Sequence, residues 1–358
     1  MKKIDIYIIK KFLGTYIYSI ILIISIAVVF DLSEKLDDFI EKHASLHAII
    51  FDYYFNFIPY YVNLFSAFFT FISVLFFTSQ MSYNYEIVAM LSNGISYRRI
   101  MRPYMISAAL LAILTFYLIN FIIPNANKVR LAFENTYIKS PYKNKDNNIH
   151  RQISPGVFIY MEGYNNQINM GYKFSMERFE KHKLVSKLLS EYIMWDTTKH
   201  KWTVNNYYIR KFTDTNEKII TGVRMDTVFN LQPEDFSRRQ NVVQSMNLYE
   251  LNKYIDGQLM EGSTSVESSL IEKYRRYSYP FSTFILTLIG VSVASRQSKG
   301  GIGLHIGIGL GITATYILFM QITSQFAISG SVSPLLAVWI PNIIFSVVAL
   351  ILYKLAPK

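Results

Sequence analysis

Long apolar runs fill both ends of the chain, and the middle changes to short runs in which apolar and polar residues alternate. A helix crossing a bilayer core needs roughly 20 mostly apolar residues. Six windows meet that demand: residues 12–30, 57–79, 104–123, 277–294, 302–323 and 334–353. None contains Asp, Glu, Lys or Arg, and the only ionisable side chain in them besides tyrosine is His305. The pattern predicts a membrane α-helical bundle of six transmembrane helices, three before and three after the central region. The first window is longer than a signal-peptide core and no small-x-small site follows it, so it is expected to remain as an anchor.

The central region reads as an inserted all-β domain. Residues 156–161 (GVFIYM), 172–179 (YKFSMERF), 188–195 (LLSEYIMW), 202–212 (WTVNNYYIRKF) and 223–229 (VRMDTVF) are rich in β-branched and aromatic residues, with turn-prone clusters between them. Short strands at this spacing predict a sandwich or a barrel-like sheet. Residues 139–148 (KSPYKNKDNN) read as a polar linker, 247–255 as a short helix and 257–269 as a flexible lead into the fourth span. The predicted organisation is residues 1–123 with three helices, 124–276 with the β domain and its linkers, and 277–358 with three more helices.

Charge orients this arrangement. The chain is 51% hydrophobic with a net charge of +11; in a membrane protein such an excess belongs to cytoplasmic loops rather than to a nucleic-acid surface. Lys2, Lys3, Lys10 and Lys11 precede the first window, and Asp31, Glu34, Asp37, Asp38 and Glu41 follow it. Arg98, Arg99 and Arg102, then Arg296 and Lys299, then Lys354 and Lys358 mark the other cytoplasmic segments. Both termini are thus expected inside and the β domain outside. Lys273, Arg275 and Arg276 go against this trend, but large translocated domains obey it weakly. There are no cysteines, which excludes disulfides and thiolate sites.

Four local features carry candidate chemistry. Residues 84–96 (NYEIVAMLSNGIS) read as a short helix capped by Asn84, with Glu86 in its first turn and Gly94 as a left-handed stop. Ile87, Met90 and Leu91 share one face, which either packs on the membrane and its own bundle or docks a cytoplasmic partner. Gly303, Gly307, Gly311 and Thr315 recur every four residues, either for packing within the chain or as a seam with another subunit. Lys273, Arg275 and Arg276, with Lys128 and Arg130, either anchor to lipid headgroups or guide a phosphorylated amphiphile. His43 and His47 lie one helical turn apart, too few ligands for a metal site. No GxxxxGK[ST] loop is present, and no hydrolase signature stands out. Because the spans lack charge, ion coupling within the membrane is not expected, and any uphill transport must draw energy from another subunit.

Taken together, these stretches resemble the LptF/LptG permeases of lipopolysaccharide export. The shared order of three helices, a β-jellyroll and three helices covers nearly the whole chain. VVFDLSEKLDDF within residues 13–39 is similar to the LptG branch. Residues 86–96 resemble the family's coupling helix, PNAN at 124–127 the exit of the third helix, and 246–255 with 273–293 the approach to the fourth and its body. The resemblance implies an inner-membrane permease that pairs with an LptF-like second permease. It also implies an LptB-like cytoplasmic ATPase dimer on the coupling helices, with Glu86 as the ion-pairing residue, and an LptC-like periplasmic jellyroll protein that receives the lipopolysaccharide. ATP would be used by the ATPase and no cofactor bound by this chain. Lipid would enter between the first helix of one permease and the fifth of the other, at the Gly303–Gly311 face. LptG relatives often carry lysine near the outer end of the first helix to meet lipid phosphates; here that neighbourhood holds Asp31, with Lys35 one turn later as the candidate. Two other classes remain open: a permease of another ATP-driven lipid or lipoprotein exporter, and a membrane scaffold or sensor without transport.

Overall fold

The computed structural model describes residues 2–138, 147–213, 216–233, 236, 240–263, 265–296 and 301–356. It is a helical membrane bundle carrying an inserted antiparallel β domain, and six of its helices are long and apolar enough to cross a bilayer. The chain divides into two compact units. One comprises Met1–Ile138, Gln244–Leu248 and Glu267–Lys358, the other Lys139–Val243 and Tyr249–Val266.

In the helical unit, α1 spans Lys3–Glu41, α2 Ala48–Tyr83, α3 Glu86–Ser92 and α4 Tyr97–Tyr137. α1 has 39 residues, so at 1.5 Å per residue it is about 58 Å long, nearly twice a hydrocarbon core. The 12–30 window is therefore only its middle. α4 likewise runs on past the apolar window at 123. Pro124 lacks an N–H for the helix ladder, and the turn just before it, Leu118–Ile122, widens to a π-type turn that absorbs the defect.

Three helices complete the described α elements of this unit, after α5 (Leu248–Glu261) of the β unit: α6 (Val266–Ala294), α7 (Gly301–Ile328) and α8 (Pro334–Leu355). The expected flexible lead at 257–269 is largely helical. α5 reaches Glu261, Gly262 at φ +66° ends it, and α6 starts at Val266. Phe71, Val74 and Leu75 of α2 are fully buried, and α2 is the helix on which the others pack. Gly290 of α6 and Gly309 of α7 give close approach to it: a Cβ on Gly309 would collide with Leu75, and one on Gly290 would press on Val74.

The β unit contains six strands: β1 (Asn147–Ser154), β2 (Val157–Asn165), β3 (Met170–Glu180), β4 (Lys183–Asp196), β5 (Lys201–Phe212) and β6 (Glu217–Thr227). They form one antiparallel sheet in the order of the sequence, an up-and-down meander among the described residues. One face buries Ile159, Met161, Phe174, Leu188, Ile193 and Val204, covered by Phe229, Leu231 and Phe236. β1 was not expected as a strand. Asn147 and Asn148 belong to it, not to a linker, and residues 139–146 lie outside the described residues. Arg151 stands between the buried Ile149 and Ile153, over the Phe236 ring at 4.7 Å and 3.6 Å from Glu261.

Trp202 anchors the covering segment. It is fully buried, and its Nε1–H donates to the Leu231 carbonyl at 2.9 Å. Trp202→Phe leaves that carbonyl unanswered, at a cost of about 1–2 kcal/mol. Hydrogen–deuterium exchange across β4 and β5 in the full chain should accelerate by roughly fivefold or more; unchanged protection would show that this contact does not hold the cover down.

Candidate functional site

Two places bring the sequence candidates together: the short loop helix, and an apolar cavity in the helical unit.

α3 is held as a lever against its own bundle. Tyr85, not Asn84, precedes it, at φ +60° and without a side-chain cap; Asn84 instead ends α2. Gly94 at φ +78° closes α3 as expected, with Gly94 N–H on the Leu91 carbonyl and Ile95 N–H on the Met90 carbonyl. Ile87 is 2% exposed, and Met90, Leu91 and Ile95 pack on the same core. The predicted apolar face is thus spent on the chain itself. Asn84, Tyr85, Val88, Ala89 and Ser92 are left exposed on α3 and its approach. Glu86 accepts a hydrogen bond from Tyr7 Oη of α1 at 3.0 Å. Beside it, Arg99 of α4 donates two hydrogen bonds to buried Asp5 of α1, at 2.6 and 2.7 Å. A bidentate pair of this kind fixes geometry as well as adding energy. The start of α1, α3 and the start of α4 are therefore joined by side chains far apart in sequence.

The cavity has a volume of about 540 Å³, within the usual range for small-molecule sites. Tyr60, Leu64 and Phe68 of α2, Ile123 of α4, and Tyr316 and Met320 of α7 make much of its wall. Its polar lining includes Asn63, Asn127, Glu272, Arg275 and Arg276. Arg276 is 2% exposed and lies 3.6 Å from Glu272, one turn back on α6; Arg275 donates to Ser324 Oγ at 3.2 Å.

The basic cluster is not a single patch. Arg130 is buried, 3.4 Å from Glu134 and 4.5 Å from the face of the Tyr60 ring. Lys128 is exposed and Lys273 half-buried, and neither lines the cavity. Lys35 is engaged by Asp31 and by Tyr53 Oη, while Asp31 also accepts from Tyr53 and Tyr54. Arg130 and Arg276 are buried, and each has a glutamate four residues away along its helix. Those glutamates were overlooked in the sequence, although the i,i+4 spacing marks them. Asn63 and Asn127 carried no signal of their own.

The glycine stripe of α7 faces away from its own bundle. No described atom of the chain lies within 4 Å of where a Cβ would stand on Gly303, Gly307 or Gly311, and Thr315 is exposed. The intramolecular contact uses Gly309 and buried Thr313, Tyr316 and Met320 instead. Gly309→Leu should therefore overpack the bundle by about 1–3 kcal/mol and lower its thermal midpoint in detergent. Gly307→Leu should leave that midpoint where it was, and the reverse order would contradict this assignment of faces.

No individual curated protein matches the chain. The family model described as lipopolysaccharide export system permease LptF/LptG matches residues 6–355, through both units and past all six apolar helices. The chain therefore belongs to the LptF/LptG family of lipopolysaccharide export permeases.

Proposed function

We propose that this chain is the LptG-like member of a permease pair that extracts lipopolysaccharide with energy from a separate ATPase. Family membership makes it a multi-pass inner-membrane permease subunit of a lipopolysaccharide transporter, not an enzyme in its own right. The finer reading adds a second, LptF-like permease, an LptB-like ATPase dimer under α3, and an LptC-like jellyroll protein that takes the lipid onward. Both termini lie in the cytoplasm and the β domain in the periplasm, as the lysine and arginine distribution supports.

The observation that carries the pairing is how little of α1 and α7 this chain covers. Only 22% of the apolar window of each is buried, against 56% for α2 and 61% for α6. These two helices present lipid-facing or partner-facing surface, and α7 turns its glycines outward on it. Small residues permit close but weakly held helix contacts in hydrocarbon, where no hydrophobic effect drives association. A seam of this kind opens sideways to admit a lipid.

The power stroke enters through α3. The six apolar windows hold no charge, and the chain has no phosphate loop, so it binds no nucleotide by that device and ATP belongs to the partner. Tyr85, Val88 and Ala89 offer the docking surface, Glu86 the charge, and Ile87, Met90 and Leu91 the attachment that carries movement into the bundle. Asp5–Arg99 and Tyr7–Glu86 pass it to α1, the gate helix. Lys35, Lys128, Arg130, Lys273, Arg275 and Arg276 are the candidates for lipid phosphate, with Arg275 and Arg276 favoured by their place at the cavity.

Glu86→Ala should reduce co-purification of the ATPase by about tenfold or more without lowering the amount of folded permease; full recovery would remove α3 from the interface. Photocrosslinkers at Lys35 and within residues 302–311 should capture lipopolysaccharide in cells. Capture of a lipoprotein instead would assign the chain to a different exporter. Gly307→Leu should impair export while retaining the fold, and normal export would place the seam elsewhere.

A further inference from the structure

Two asparagines that line the cavity carry side-chain oxygens that no described residue answers. Asn127 is 0% exposed on α4 and lines the cavity. Its Nδ2 donates to the main-chain carbonyl of Gln244 at 3.1 Å. That bond fixes the amide orientation, since the flipped form would set one carbonyl oxygen against another. Among the described residues, Oδ1 is then a buried acceptor without a hydrogen-bond partner. Asn63 of α2 lines the same cavity, and its buried Oδ1 also lacks one. Buried acceptors are costly when unmet, so their occupant is expected to be a donor.

The remaining walls limit what that occupant is. Leu64, Phe68, Ile123 and Met320 fit hydrocarbon, and Arg275, beside the Glu272–Arg276 pair, fits an anionic head. The asparagines ask for an O–H or N–H in a site that also takes hydrocarbon. The ester oxygens of a glycerophospholipid only accept hydrogen bonds at the junction of head and tails. An amphiphile with amide-linked 3-hydroxyacyl chains supplies both N–H and O–H there. We propose that this cavity selects an anionic amphiphile bearing a hydroxyl or amide donor at its head–tail junction, and that Asn127 Oδ1 and Asn63 Oδ1 accept from it. The inference rests on the reading of the chain as a lipid-handling permease and adds the rule by which one membrane lipid is preferred over another.

The test uses the full chain in detergent and two synthetic probes. The first is glucosamine 1-phosphate with two 3-hydroxytetradecanoyl chains, one amide-linked and one ester-linked. The second is glucose 1-phosphate with two ester-linked tetradecanoyl chains at the same ring positions and no 3-hydroxyl. Charge and chain length match, and the junction donors are what differ. Native mass spectrometry should show the wild type preferring the first probe by about tenfold. Asn127→Leu should lose most of that preference while binding the second probe at least as well. Asn63→Leu should lose part of it, and where Asn127→Leu does not fold, Asn63→Leu and the wild-type ratio together decide between the outcomes. Equal binding of both probes by the wild type, as expected where a buried water satisfies Oδ1, would overturn the selection rule and leave a lipid cavity in place. A preference retained in full by both variants would overturn the role of the asparagines. Failure of both probes to bind would remove the lipid cavity itself, and the rule with it.

Discussion

Hydrocarbon offers no partner to a charge or to a free backbone amide, and most of this chain is arranged around that fact. The six apolar windows exclude every carboxylate, ammonium and guanidinium, and the ionic groups gather beyond them. Asp5–Arg99 sits at the start of α1 and α4, and Lys35–Asp31 after the first window. Arg130–Glu134 follows the third window, and Glu272–Arg276 precedes the fourth. A bundle without intramembrane charge has no handle for an ion gradient or a membrane potential. In the proposed function, mechanical force enters through a loop instead, and α3 is a loop helix anchored in the bundle through Ile87.

In the proposed function the anchoring gives α3 a part beyond docking. Ile87 is buried as fully as the bundle core, so displacing α3 displaces what Ile87 packs against. Tyr7 and Asp5 connect the same region to α1, whose own surface is mostly uncovered. Rigid attachment at one end and a loosely partnered seam along α1 and α7 is the combination a gate requires: stiffness where force enters, and weak contacts where the opening forms. The two halves of that arrangement depend on one another.

Much of this was legible in the residues because a charge-free run of twenty is a one-dimensional signal. Helix ends were less so. The ends of α1 and α4 are polar, and helix continues there because side-chain pairs and a π-type turn at Pro124 support it. β1 was missed because NNIHRQIS has only two buried apolar residues, with Arg151 between them covered by Phe236 and Glu261. The face of α3 was read correctly, but the sequence did not say that its occupant is the chain's own core. On α7 two registers of small residues coexist, Gly303–Gly307–Gly311 and Gly309–Thr313, and only packing against Leu75 shows which turns inward. The cavity draws on α2, α4, α6 and α7, so no local pattern announces it; Asn63 and Asn127 gain meaning only when their hydrogen-bond partners are counted.

The central claim is that this permease borrows its energy through α3. The direct measurement is lipopolysaccharide extraction from proteoliposomes, comparing the chain alone with the chain joined to its partner permease and ATPase, each with and without ATP. Extraction is expected only from the assembled complex and only during hydrolysis. Lipid released by the chain alone, or by the complex at an undiminished rate without nucleotide, would contradict the claim.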